Sequence, residues 1–199
     1  IGTVCFMLLA LPITAQAQTG IDQLLQGEVR YESLRGHHLD ALLRYNSGLS
    51  SSRAQSSPVE AGITDARLAL GLSDTVEQQL KGAPGGKDGQ PSRNRSAYQL
   101  AWFYYNSRKP MQALEMLERI EGKTEGVSGT DIDYLRAPTY LQVGRFKAAA
   151  ELFYELPLAN RPRGYTQYNM GMAQLLSGNE ERGRSTLTSL GEISSRDAE

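Results

Sequence analysis

Few side chains in this sequence could carry chemistry. His37 and His38 are its only histidines and Cys5 is its only cysteine. Neighbouring residues do not share a helix face, so the two imidazoles cannot converge on one metal ion from a helix. No cysteine or carboxylate cluster accompanies them, and they read as two solvated turn residues. A Ser-His-Asp or Cys-His arrangement has little else to build on. Beyond Cys5 the chain has no thiol for a disulfide, a Cys-ligated zinc site or a nucleophile. The glycine-rich run from Gly82 to Pro91 follows no strand pattern and does not end in Gly-Lys-Ser/Thr, so a phosphate-cradling loop is unsupported. Asn94-Arg95-Ser96 fits a glycosylation acceptor, but asparagine is also a common helix N-cap. The expectation is a protein without metal, cofactor or catalytic residues: not an enzyme.

The bulk properties fit that expectation. The formal net charge is −1, without the basic excess of a nucleic-acid binder. Hydrophobic residues make up 40% of the 199 positions, enough for one medium domain or a short repeat array. The first residues read as an export signal. Ile1 to Ile13 is uncharged and apolar apart from Gly2, Thr3 and Pro12, and Ala15 and Ala17 offer a small-x-small cleavage pattern ahead of Gln18. The stretch is short for a bilayer span; the alternative is a buried N-terminal helix. Because the sequence opens on Ile with no basic residue ahead of the apolar run, the natural N-terminus is expected to lie further upstream.

The elements that would position any site are set by a repeat. A turn residue is followed five positions later by a small residue and four positions after that by a large apolar one. The pattern occurs as Gly36, Ala41, Tyr45; as Gly71, Val76, Leu80; as Arg108, Ala113, Leu117; as Gly144, Ala149, Phe153; and as Gly178, Gly183, Leu187. Successive turn residues are 35, 37, 36 and 34 positions apart. Ahead of the turns stand Leu100, Ala101 and Tyr104 in the third unit, Ala137 and Tyr140 in the fourth, and Met170 and Gly171 in the fifth, with Gln174 in place of the tyrosine. The first two units diverge, with Val29 and Glu32, then Thr64 and Arg67, at these positions. Period and pattern resemble the tetratricopeptide repeat family. The resemblance implies an all-α solenoid of stacked antiparallel helix hairpins wound into a right-handed superhelix. Each hairpin is stable only through its neighbours.

The resemblance also implies a binding surface. In this family the first helix of each hairpin lines a concave groove. The corresponding residues here are Arg95, Tyr98, Trp102, Tyr105 and Asn106 in the third unit. Asp131, Tyr134, Leu141 and Gln142 follow in the fourth, and Tyr165, Tyr168, Met172 and Leu175 in the fifth. Tyr98, Tyr134 and Tyr168 hold the same register and would form a ladder of amphipathic rings suited to a partner; the other reading is that they pack between adjacent first helices. The family's chaperone-tail variant needs groove lysines that units three to five lack. Glu32-Ser33 matches a catalytic pair of lytic transglycosylases, but the Gly-Leu-Met-Gln block of that family is absent.

The expected organisation is a signal peptide at 1–17, two divergent hairpins at 18–82, a flexible linker at 83–93, three hairpins at 94–190, and a tail or further repeat at 191–199. Ser73 and Thr130, the latter with Asp133, are expected to cap helices, and Pro138 to kink or shorten its helix. The expected function is a scaffold holding a protein or peptide partner in an aromatic-lined groove, with no nucleic acid and no stable membrane anchor once the signal is cleaved. The expected place is the bacterial periplasm, in assembly of an envelope or export complex. The competing expectation is the helical substrate-guiding arm of an enzyme whose catalytic domain lies beyond residue 199.

Overall fold

Each turn named above solves one problem: a helix must end and the chain reverse within two residues. All five turn residues adopt positive φ, namely Gly36 (77°), Gly71 (77°), Arg108 (58°), Gly144 (82°) and Gly178 (88°). Glycine reaches this region without steric penalty; Arg108 is the one side chain held there among the described residues. In each turn two amides bond back to the helix just ended. Gly144 N–H donates to the Leu141 carbonyl and Arg145 N–H to that of Tyr140, and the same pair recurs at 36/37, 71/72, 108/109 and 178/179. This is a Schellman end, which satisfies carbonyls a helix otherwise leaves unpaired. The residue after the turn starts the next helix, its carbonyl accepting from the small residue: Ala41, Val76, Ala113, Ala149 or Gly183.

The computed structural model describes residues 11–49, 57–82, 90–157 and 163–196. They contain ten α-helices and no strand. In the unit spanning 1–84 these are α1 (Leu11–Leu34), α2 (His38–Arg44), which runs into a π-helical turn at Tyr45–Leu49, α3 (Ser57–Ala69) and α4 (Ser73–Gly82). The unit spanning 85–199 contains α5 (Gln90–Asn106), α6 (Pro110–Glu118), α7 (Gly129–Gln142), α8 (Phe146–Glu155), α9 (Arg163–Leu176) and α10 (Glu180–Arg196). Helices pair in chain order, and each first helix also packs on the next first helix of its unit: α1 on α3, α5 on α7, α7 on α9. The all-α, hairpin-by-hairpin architecture expected from the repeat is present in both units.

Packing follows the small-residue positions. Ala41, Val76, Ala113 and Ala149 are buried, which lets the two helices of a hairpin approach. In the first unit Val29, Leu42, Tyr45, Val59, Ile63 and Ala66 form the core. In the second, Tyr134, Ala137, Ala149, Phe153, Leu156 and Ala173 form a core that Tyr140, Leu141 and Met170 flank. A fully buried side chain of this size contributes roughly 1.5–3 kcal/mol. The last hairpin uses glycine twice. A Cβ on Gly171 would lie 2.7 Å from the Leu187 side chain, and one on Gly183 2.6 Å from that of Leu175 and 2.9 Å from its backbone nitrogen.

Several local expectations need correction. Residues 90–93, assigned above to the linker, begin α5, while 83–89 lie outside the described residues. Residues 191–196, read as a tail or the start of a further repeat, extend α10. Residues 11–17, assigned above to an export signal, form the start of α1, which continues to Leu34; residues 1–10 lie outside the described residues. The capping box is made by Ser128 with Asp131 rather than by Thr130 with Asp133. Ser128 Oγ accepts from the Asp131 amide at 3.1 Å, and Asp131 Oδ2 accepts in return from the Ser128 amide. The two candidates overlap by two residues, and the helix takes the earlier, which pairs both groups. Ser73 is the first helical residue of α4 rather than its cap. Pro138 does not end α7: it is buried within the helix, flanked by Thr139, whose hydroxyl bonds the Leu135 carbonyl at 2.7 Å. Packing of α7 against α5, α8 and α9 holds it helical despite the missing donor.

Candidate functional site

The first helices of the second unit carry most of the residues assigned to the groove, and their environments differ. On α5, Trp102 lies one turn from both Tyr98 and Tyr105. Its indole N–H donates to the Tyr98 hydroxyl at 2.7 Å. Its ring meets that of Tyr105 edge to face, centroids 5.9 Å apart at 89°. These i, i+3 and i, i+4 spacings put the three rings on one face, and edge-to-face contact is a favoured arrangement. Two hairpins on, in α9, Tyr165 and Tyr168 each remain 51% exposed. The Tyr105 and Tyr165 hydroxyls approach to 3.4 Å across sixty positions of sequence. Burial and the neighbouring Tyr165 hydroxyl raise the Tyr105 pKa well above the ordinary tyrosine value. Side chains of α5 and α9 thus touch through this pair.

Other assigned residues do different work. Tyr134 is 8% exposed, and its hydroxyl donates to the Pro157 carbonyl at the end of α8. It belongs to the core, so the expected ladder of Tyr98, Tyr134 and Tyr168 is interrupted at its middle rung. The physical reason is that α7 is covered on both sides, by α5 and α9. Arg95 donates to the Glu125 carbonyl at 3.3 Å, its guanidinium set against Gly126, where a Cβ would collide with it. It positions the loop between α6 and α7. Leu141 and Met172 are half-buried, Leu141 against the core, and Asn106 is exposed at the end of α5. Asp131 is spent in the capping box, Gln142 is exposed and Leu175 packs on Gly183.

Asn94 is the residue whose role the sequence misled about. It is neither a helix cap nor an accessible glycosylation acceptor. It sits inside α5, 1% exposed, and its amide donates to the carbonyls of Glu121 at 2.7 Å and Lys123 at 2.8 Å. Glu125 N–H bonds the Pro91 carbonyl beside it. One buried amide therefore bonds two backbone carbonyls of the α6–α7 loop, which in turn satisfy its own buried donors. No short-range signal marks this, because the partners lie 27 and 29 residues away.

The chemistry-bearing residues of the first unit are also engaged. Contrary to the sequence expectation, carboxylates do accompany the histidines: Glu32, His37 and Asp40 offer ligand atoms all within 4.8 Å of one another. The Schellman turn folds His37 back onto Glu32, where Nδ1 and Oε2 are 2.8 Å apart. The His37 and Asp40 side chains are exposed, and His37 and Glu32 form a solvent-facing hydrogen bond. Ser33, the other half of the Glu-Ser pair, donates to the Gly62 carbonyl at 3.0 Å. Both members of that pair thus serve structure. Among the described residues no helix is long and apolar enough to cross a membrane.

The position ahead of each turn shows how the repeat tolerates divergence. Tyr104 and Tyr140 lie under Lys109 and Arg145, with cation-to-centroid distances of 5.9 and 5.6 Å. Glu32 bonds His37 instead, Arg67 covers the Tyr45 ring at 5.8 Å, and Gln174 accepts from Thr186 at 2.8 Å. Cation–π contacts serve this position in units two to four, and hydrogen bonds serve it in units one and five.

No protein-family model matches the sequence, and no curated protein matches it. Solved structures do resemble it in three dimensions. MamA from AMB-1 superposes with a TM-score of 0.64 at 16% identity, covering 87% of this chain and 92% of that one. MamA from MSR-1 gives 0.61 at 16%, covering 88% and 98%. A putative kinesin light chain of Podosopora anserina with nearly identical TPR-like repeats gives 0.57 at 18%, covering 88% and 95%. The chain has a tetratricopeptide-type fold.

Proposed function

We propose that the chain is a non-catalytic interaction scaffold that holds a peptide or partner protein on the aromatic face of α5 and α9. The approach of the Tyr105 and Tyr165 hydroxyls over α7 carries this reading, since it joins Trp102, Tyr105, Tyr165 and Tyr168 into one surface. Half-exposed aromatic side chains lose few rotamers on binding and pair a large apolar area with a polar tip, so they suit partner recognition. Tyr134 and Arg95 support the surface from beneath and beside it. The apolar leader with its Ala15/Ala17 pattern supports export, and we place the scaffold in the bacterial periplasm, where it serves assembly of an envelope or export complex.

The test pairs capture with calorimetry. A tagged chain retrieves its partner from the native host, and the partner's affinity is then measured for wild type, Trp102→Ala and Tyr168→Ala. A loss of roughly 2 kcal/mol or more is expected for Trp102→Ala. Unchanged affinity in both folded variants refutes the aromatic face as the binding site. Fractionation of the host with a C-terminal tag tests the location: recovery of the protein in the cytoplasm would remove the export reading.

A further inference from the structure

The opposite side of α9 carries a second site, independent of the aromatic face. At about 100° per residue, Tyr165, Tyr168 and Met172 lie on one face of α9, and Met170, Gln174 and Ser177 on the other. That other face forms the floor of a cleft of about 600 Å³ whose walls are α8 and α10. The volume is within the range of small-ligand and side-chain pockets. A second cavity of about 540 Å³ adjoins it, sharing Lys147, Glu151 and Ser177. From the repeat it follows why the space is open. In the preceding hairpin the equivalent floor residue is Tyr140, whose ring is capped by Arg145. Here Gln174 stands in its place, a smaller, polar side chain held by Thr186. A departure from the repeat pattern has turned a filled position into a hollow with an amide at its base.

The walls give the hollow its charge. Lys147 on α8 and Arg182 on α10 line it from opposite sides, and neither forms an ion pair or hydrogen bond among the described residues. Glu151 is the one carboxylate in the lining, so cations exceed anions there by one. The Ser185 hydroxyl adds a donor, and the ring of Tyr154, 79% exposed, flanks the floor residue Met170. Two unpaired cations across a polar floor, beside exposed aromatic and thioether surface, complement a carboxylate neighbouring an apolar side chain. We infer that the α8–α10 cleft binds an acidic peptide segment of a partner protein, gripping a carboxylate between Lys147 and Arg182 and an adjacent apolar side chain against Tyr154 and Met170.

Fluorescence anisotropy on the full chain tests this, with a labelled twelve-residue glutamate peptide carrying one central phenylalanine as the probe. Saturable binding is expected, weakened at least tenfold by Lys147→Glu with Arg182→Glu, and at least tenfold by Gln174→Tyr, which refills the hollow. Gln174→Tyr is expected to keep or raise the thermal midpoint, and the charge-reversal pair, at exposed positions, decides the matter should Gln174→Tyr fail to fold. Trp102→Ala is expected to bind the probe as wild type does. The inference is overturned by no saturation up to millimolar peptide, by equal binding of a lysine counterpart peptide, or by wild-type affinity in both cleft variants. Displacement by equimolar inorganic phosphate would mean a small-anion site and also overturn it. So would loss of binding in Trp102→Ala, which would place the probe on the aromatic face.

Discussion

Gly183→Ala tests whether the last hairpin depends on close approach of its helices. Alanine is the better helix former, by up to about 1 kcal/mol, so α10 taken alone predicts stabilisation. The tertiary structure predicts the reverse. The new Cβ would lie 2.6 and 2.8 Å from Leu175 side-chain carbons and 2.9 Å from the Leu175 backbone nitrogen. Non-bonded carbons rest near 3.5–4.0 Å, and a backbone atom cannot turn aside as a side chain can. α9 and α10 would have to part by roughly 0.6 Å or more to restore contact. Overpacking of this kind costs about 1–3 kcal/mol, leaving a net loss of up to about 2 kcal/mol after the propensity gain. Hydrogen exchange of α10 amides measures it, since each hairpin opens locally. Exchange should accelerate, by up to about 30-fold. Gly164→Ala in α9 is the control, because its Cβ would meet only Leu190 at an ordinary 3.7 Å; it should slow exchange or leave it unchanged. Equal protection in the two variants would refute the reasoning.

Other substitutions probe the remaining features. Asn94→Ala strips the donors from the Glu121 and Lys123 carbonyls and should lower stability by about 2–3 kcal/mol in urea unfolding; proteolysis within the 121–126 loop should rise with it. Arg108→Gly relieves a positive-φ side chain, worth roughly 1–2 kcal/mol, against about 0.5–1 kcal/mol of added chain entropy. A small rise in thermal midpoint is expected, and a fall would show that Arg108 makes a stabilising contact. Tyr105 has its pKa raised on folding, so its contribution is fully present below the unfolded value of 10.0 and is lost as pH rises through the higher folded value. Tyr105→Phe should therefore flatten the fall in stability above about pH 10, followed by urea midpoints; an unchanged slope would contradict the raised pKa.

Some of the site was legible from sequence and some was not. Trp102, Tyr105, Tyr165 and Tyr168 were assigned to one surface from their register alone; Trp102 meets Tyr105, and Tyr105 meets Tyr165. Tyr134 holds the same register as Tyr168 and lies in the core. A one-dimensional pattern states which face of its own helix a side chain leaves from, not what covers that face. Gln174 was visible as a departure from the repeat, but that the departure opens a cleft depends on where α8 and α10 stand.

The sequence by itself determined the turns, the helix pairs and the small-residue positions of all five hairpins. Those rest on interactions between residues at most a few positions apart: a positive φ at Gly36 or Gly144, and a bond from Arg145 back to Tyr140. Tertiary structure alone decided the burial of Asn94, the fate of each tyrosine and the joining of the aromatic face. There the deciding partners are 23 residues away for Tyr134, 27 and 29 for Asn94, and 60 for Tyr105. Contacts at such separations exist only once neighbouring hairpins stack, because no local propensity encodes what the next hairpin brings.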